Sequence, residues 1–230
     1  MLTIALTSIP PRFGTLAKVT QRLLAQTMPV RVVVSIPRRY RRFPGVVPDP
    51  DLPPGVILRR TPEDYGPASK LLGVVEDPEV NDILYCDDDW LYAPTWAEAL
   101  TTARSGPGMA VAASTFPVSR IKRSAQPRLD RVAQGFAGVL VNRDMFQPDL
   151  FHLPDAAFAT DDIWLSGYMA ARNISVVPAP AARALCAPVP VEGPQLQDSQ
   201  VGGVSRAGAN IACADALTRL FGVWPAADTD

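Results

Sequence analysis

The chain opens on an apolar run, Leu2 to Thr7, closed by Ser8-Ile9-Pro10-Pro11, where two prolines end a strand by removing backbone donors. From Phe13 to Gln26 the apolar positions Phe13, Leu16, Ala17, Val19, Leu23 and Leu24 recur mainly every three or four residues, the period of one helix face. Pro29 follows this helix, and Val30 to Ile36 reads as a second buried strand. Strand, helix and strand with short connections predict a right-handed βαβ unit and a parallel sheet, which takes ligands at the carboxyl ends of its strands. The proline- and arginine-rich stretch from Pro37 to Pro54 predicts an irregular surface excursion before a short strand at Val56 to Leu58. Pro67 to Val75 predicts a helix with proline in its first turn.

Ile83 to Cys86 is an apolar strand that runs directly into Asp87-Asp88-Asp89, then Trp90-Leu91-Tyr92 and a helix from about Pro94 to Arg104. Further strands are expected at Met109 to Ala113, Phe136 to Val141 and Ile174 to Val177. Arg120 to Arg131 is polar, basic and unpatterned, and predicts a mobile loop. Thr160 is placed to cap a helix running from Asp161 to about Arg172. Pro178 to Gly208, rich in proline and glycine, predicts loop, and Asn210 to Phe221 a closing helix.

Composition narrows the classes. The 230 residues are 47% hydrophobic and 20% charged, enough apolar side chain for a substantial core and no sign of global disorder. Lys plus Arg total 22 against 23 acids, which removes the broad basic field that would draw the chain to nucleic acid or an anionic membrane. Cys86, Cys186 and Cys213 lack metal-ligand spacing and His152 is the sole histidine, so neither a zinc site nor a disulfide framework is expected. The N-terminus lacks the features of a signal peptide, and no stretch has the roughly 18 to 20 apolar residues of a membrane span. A cytoplasmic protein is the expectation.

Chemistry concentrates in two acidic groups. Adjacent carboxylates repel unless cations or donors compensate them, and a hard divalent ion is a simple compensator for Asp87-Asp88-Asp89. Alternation in an extended segment lets Asp87 and Asp89 share one ligand site while Asp88 points elsewhere, toward a sugar hydroxyl in one reading. Mg2+ or Mn2+ held by one or two carboxylates completes its shell with water and substrate phosphates, which suits so sparse a set. The competing reading is a solvated turn. Asp161-Asp162 has a stronger competitor, because the first turn of any helix favours acids. The aromatic and small residues of ATDDIWLSGYMA, and the absence of a well-placed histidine base, raise its standing as a catalytic pair.

The segments TSIPPRF, DYGPASKLLG, ILYCDDDWLY, QGFAGVLVNRDMF and TDDIWLSGYMAARNI occur in an order that resembles GT-A glycosyltransferases, especially the bacterial family-2-like and exostosin-like enzymes. The resemblance implies one α/β GT-A domain over residues 1–230, with a mixed, mainly parallel sheet flanked by helices. Residues 1–113 would form the nucleotide-binding part and 114–230 the acceptor side. It further implies Thr7, Ser8 and Arg12 at the nucleoside, Asp87 and Asp88 near the nucleotide, and Asp89, with Asp87, as ligands of Mn2+ or Mg2+. Lys70 matches a position near the nucleotide or its diphosphate, although an ordinary exposed helix lysine is an equal alternative. Asp162, with Asp161 second, matches the late carboxylate beside the acceptor. Its role is that of a base in an inverting enzyme or of a group that steadies an oxocarbenium-like species in a retaining one, and the residues do not choose.

Some positions depart from the pattern. No histidine follows His152 to serve as a late metal ligand, and the tail SRAGANIACADAL carries Asn210 where a basic residue is expected, with Arg206 as a substitute. The run Arg38-Arg39-Tyr40-Arg41-Arg42 can approach phosphates, but charge runs are usually solvated. Trp90, Tyr92, Trp164 and Tyr168 are either sugar-stacking or core aromatics. The leading expectation is a metal-dependent hexosyl or N-acetylhexosaminyl transferase that takes a nucleotide sugar, UDP-linked first, to a glycan, lipid or small-molecule acceptor. Alternatives are a nucleotidyltransferase, which lacks a Gly-rich phosphate loop here, and a non-catalytic nucleotide- or sugar-binding protein of the same fold.

Overall fold

The computed structural model describes residues 1–106, 108–190 and 205–227. Eleven strands occur among them: β1 (Leu2–Thr7), β2 (Val30–Pro37), β3 (Val56–Thr61), β4 (Asp82–Tyr85), β5 (Trp90–Tyr92), β6 (Ala110–Ala112), β7 (Thr115–Pro117), β8 (Arg131–Ala133), β9 (Val139–Asn142), β10 (Val176–Pro178) and β11 (Cys186–Pro188). The helices are α1 (Phe13–Leu24), α2 (Ser69–Leu72), α3 (Trp96–Ala103), α4 (Asp161–Ala171), α5 (Pro180–Arg183) and α6 (Arg206–Phe221). Seven strands make the main sheet in the order β10-β6-β9-β4-β1-β2-β3. β1 pairs in parallel with β2 and β4, β2 with β3, and β6 with β10. β9 runs antiparallel between β4 and β6, which makes the sheet mixed but mainly parallel.

Strand alternation divides the core into two layers. On one face Ala5, Val33, Ile83, Tyr85, Val139 and Val141 pack with Leu71 of α2, Ile163 and Trp164 of α4 and Leu217 of α6. On the other, Ile4, Leu6, Val32, Val34, Leu84 and Leu140 pack with Leu16, Val19 and Leu23 of α1 and Trp96 and Leu100 of α3. Leu16, Val19 and Leu23 are fully buried, and each contributes roughly 1.5–3 kcal/mol of transfer free energy. The three-and-four spacing of α1 therefore reads as it folds.

Several segments fold differently from their sequence expectation. The helix expected at Pro67 to Val75 contracts to a Gly66–Ala68 3-10 turn followed by the four residues of α2. β3 runs on through Arg59 and Arg60 to Thr61, because the guanidinium groups leave the strand to bond Asp77 and Asp49. Arg120 to Arg131 is not a loose loop. Ile121 and Arg123 are buried, Arg123 bonds Asp215 of α6 at 2.6 Å, and Arg123 forms an isolated bridge with Ala226. The stretch expected as loop from Pro178 to Gly208 contains α5 and β11 before residues 191–204, which lie outside the described residues. Thr160 precedes α4 but does not cap it with its side chain, since its hydroxyl donates back to Ala156 O at 3.1 Å.

The three cysteines are free and buried. Among the described residues no helix is long and apolar enough to cross a membrane.

The turn between β8 and β9 depends on Gly138, whose φ of +102 disfavours a side chain. A Cβ there would also overlap the indole of Trp96, whose Nε1 donates to Ala137 O at 2.8 Å. Gly138→Ala is therefore expected to lower stability by about 2 kcal/mol or more, read as a fall in the urea midpoint with unchanged slope. An unchanged midpoint contradicts this packing.

Candidate active site

The carboxyl end of β4 delivers Asp87, Asp88 and Asp89 beside the carboxyl end of β1, because the two strands pair in parallel with Ala5 opposite Tyr85. The three acids do not share one environment. Asp88 is buried and turns toward the β1 loop, where Ser8 Oγ donates to its Oδ2 at 2.5 Å and Arg12 Nη1 to its Oδ1 at 2.8 Å. Burial raises the pKa of Asp88 above the usual carboxylate range, while Arg12 and Ser8 pull against that rise. Tyr40 locks the same loop from the other side, its hydroxyl donating to Ser8 O at 2.6 Å.

Asp89 shares Arg12 with Asp88. Its Oδ2 lies 3.2 Å from Arg12 Nη1, whereas its Oδ1 is buried without a hydrogen-bond partner. Burial, and then the neighbouring Asp87 carboxylate, push its pKa up to about 6. A buried carboxylate oxygen without a donor is what a hard cation compensates, so Asp89 fits the role of a metal ligand. Among the described residues no group of three or more His, Cys, Asp or Glu side chains could hold an ion. A cation here would therefore take most of its shell from water and ligand oxygens.

Asp87, expected from strand alternation to share a site with Asp89, instead faces the other way, toward α2, because Lys70 draws it there while Asp88 and Asp89 meet at Arg12. Its Oδ1 pairs with the Nζ of Lys70, and the same ammonium lies 2.9 Å from Asp161 Oδ2 at the start of α4. Lys70 is thus a fully buried amine between carboxylates, unlike the exposed helix lysine that was its alternative reading. Burial works against its charge, but Asp161, Asp87 and Asp162 outweigh burial and hold its pKa well above the ordinary value. Asp162 accepts a hydrogen bond from Gly135 N at 2.8 Å. Burial and then Asp161 raise its pKa markedly, with Lys70 opposing the rise.

The structure brings most of the residues singled out in the sequence together. Ser8, Arg12, Lys70, Asp87, Asp88, Asp89, Asp161 and Asp162 form one connected cluster at the strand ends. Thr7 stands apart from the acids, its hydroxyl donating to Ser35 O at 2.7 Å. Tyr92, Trp164 and Tyr168 are buried core aromatics. Trp90 is partly exposed and packs 4.5 Å from Phe136, with the Arg183 guanidinium 4.8 Å above its ring. Arg38, Arg39, Arg41 and Arg42 are exposed, while Tyr40 within that run turns inward, as does Gly135 within QGFAG. His152 and Arg206 are both exposed. Sequence reasoning missed Tyr40 and Gly135, because one was hidden in a charge run and the other carries no side chain.

No protein-family model matches the chain, and no curated protein matches it. Solved structures do match. The chain superposes on glucosyl-3-phosphoglycerate synthase from Mycobacterium tuberculosis, in complex with Mn2+, UDP and glucosyl-3-phosphoglycerate, with a TM-score of 0.55 at 14% identity, covering 97% of this chain and 80% of that one. It superposes on a mannosyltransferase from Pyrobaculum calidifontis, in complex with GDP-Man and Mn2+, with a TM-score of 0.52 at 17% identity, covering 79% of this chain and 55% of that one. The fold is that of the GT-A glycosyltransferases, with the mixed, mainly parallel sheet that its sequence resemblance implied.

The electrostatics of Asp89 yield a pH prediction for the metal-free protein. Its folded pKa lies above the ordinary 3.8, so the stability penalty is absent below about pH 4 and develops as pH rises through about 6. Asp89→Asn in EDTA should melt higher than the wild type at pH 7.5, with the gap closing toward pH 4. A variant that melts lower at pH 7.5 contradicts the orphaned-carboxylate geometry.

Proposed function

We propose that the chain is a glycosyltransferase that moves a sugar, hexosyl or N-acetylhexosaminyl, from a nucleotide sugar to a hydroxyl of a glycan, lipid or small-molecule acceptor. The observation that carries this reading is the asymmetry of the acidic loop. Asp88 is clamped by Ser8 and Arg12, and Asp89 keeps a buried oxygen without a hydrogen-bond partner. The fold's likeness to transferases in complex with UDP or GDP-Man and Mn2+ supports it.

In this reading the nucleoside enters between the β1 loop and Asp88, with Ser8 and Arg12 shaping its seat and Arg12 adding positive charge toward the diphosphate. Thr7 stiffens the strand end through Ser35. Asp89 would hold Mn2+ or Mg2+, which would supply positive charge to the departing diphosphate, while Asp87, expected as a second ligand, stays paired with Lys70. UDP-sugars are the first donors to test.

Asp162 is the acceptor-side carboxylate. Its raised pKa brings it toward the range useful for proton transfer, and Gly135 N holds its Oδ1. In an inverting reaction it takes the acceptor hydroxyl proton as that oxygen bonds to the anomeric carbon and the bond to the nucleotide diphosphate breaks. In a retaining reaction it orients the acceptor beside an oxocarbenium-like carbon. Asp161 keeps Lys70 charged.

Calorimetric titration of UDP and GDP, with and without Mn2+, tests the donor site. Wild type should bind one of them in a Mn2+-dependent way, and Asp89→Ala should weaken that binding by about tenfold or more. Asp162→Asn should retain binding while turnover with the matching sugar donor falls by about 10²- to 10⁴-fold. Absence of nucleotide binding under every condition would remove this function.

A further inference from the structure

Lys70 is the residue through which the two acidic groups meet. Its amine is reached by Asp87 from the end of β4 and by Asp161 from the first turn of α4, two segments 74 positions apart in the chain. Only 2% of its side chain is exposed. An amine so enclosed, with its charge already taken up by the protein's own carboxylates, is poorly placed to bind a diphosphate arriving from solvent. It is well placed to set a distance.

Gly135 provides a second, independent sign. A Cβ added there would lie 2.5 Å from Lys70 Nζ, 3.2 Å from Lys70 Cε and 3.3 Å from Asp162 Oδ1. Gly135 is not among the positive-φ glycines, so its conformation does not call for glycine and the space does. The same residue's N–H holds Asp162. Tyr92 ties this turn to the acidic loop as well, its hydroxyl lying 2.9 Å from Phe136 O and 3.0 Å from Asp87 O. The β4 loop, α2, the turn at Gly135 and the start of α4 thus close around one ammonium.

We propose that Lys70 is a positioning residue that fixes the spacing between the Asp87–Asp89 loop and the Asp161–Asp162 pair without touching the donor, and that Gly135 leaves the room this requires. The proposal rests on the donor and acceptor roles assigned above. Removing the amine leaves two carboxylates uncompensated, and neutralising one of them removes most of that strain. Direct contact between Lys70 and the diphosphate has a different consequence, because neutralising Asp161 cannot restore a lost phosphate contact.

The test is a double-variant cycle of Lys70→Met, Asp161→Asn and their combination, read by thermal melting without ligand and by titration of UDP with Mn2+. Lys70→Met should lower the melting temperature by about 10 °C and weaken UDP–Mn2+ binding about tenfold. The combined variant should recover most of the melting temperature and bind UDP–Mn2+ within about threefold of Asp161→Asn alone. Recovery of melting without recovery of binding overturns the proposal in favour of a phosphate contact, and strictly additive melting losses overturn the strut itself. Where Lys70→Met does not fold, Gly135→Ala carries the test. It should weaken UDP–Mn2+ binding about tenfold with the wild-type amine, and unchanged binding overturns the proposal. If the wild type binds neither UDP nor GDP, the donor reading fails separately, and the melting cycle alone supports or overturns the Lys70 coupling.

Discussion

The site depends on a buried ammonium held among carboxylates. Lys70 sits inside a low-dielectric layer between sheet and helices, where its charge depends on the carboxylates around it. Together they allow two acid groups from distant parts of the chain to occupy one end of the sheet. The wider framework serves that arrangement. Parallel pairing of β1 with β4 brings Ser8 and Arg12 to Asp88. The reversed strand β9 returns the chain so that the turn before it, at Gly135 to Gly138, closes the third side.

This arrangement also separates the three aspartates by task. Asp88 is structural in its bonding, Asp87 is joined to the far carboxylates through Lys70, and Asp89 is the one of the three with a buried oxygen that has no partner. Such uneven compensation makes the loop costly in the free protein, a cost that the proposed cation would relieve. A site that keeps a buried carboxylate oxygen unpaired gives up stability for function.

Much of this was legible in the chain. The apolar runs of β1, β2 and β4 and the helical period of α1 are strong local signals, and the acids stand directly at a strand's end. What escaped reading was non-local. The pattern of β9 announces a strand but not its direction, and the three-residue strands β5, β7, β8 and β11 are too short to show a period. Lys70 lies on a four-residue helix, where no face can be read, so its burial follows only from Asp87 and Asp161 closing on it. Arg123 was misleading in the same way. A polar, basic neighbourhood suggested mobility, whereas its partner Asp215 lies 92 positions away on α6.

The central claim is that the free oxygen of Asp89 and the clamped Asp88 together mark a metal-assisted nucleotide-diphosphate seat. The most direct measurement is a crystal structure grown with UDP and Mn2+, with the Mn2+ located by its anomalous signal. The account predicts the ion within coordination distance of Asp89 Oδ1 and of diphosphate oxygens, with the nucleoside against Ser8, Arg12 and Asp88 and Lys70 still pairing Asp87 with Asp161. UDP bound elsewhere, or an ion that avoids Asp89, would contradict it.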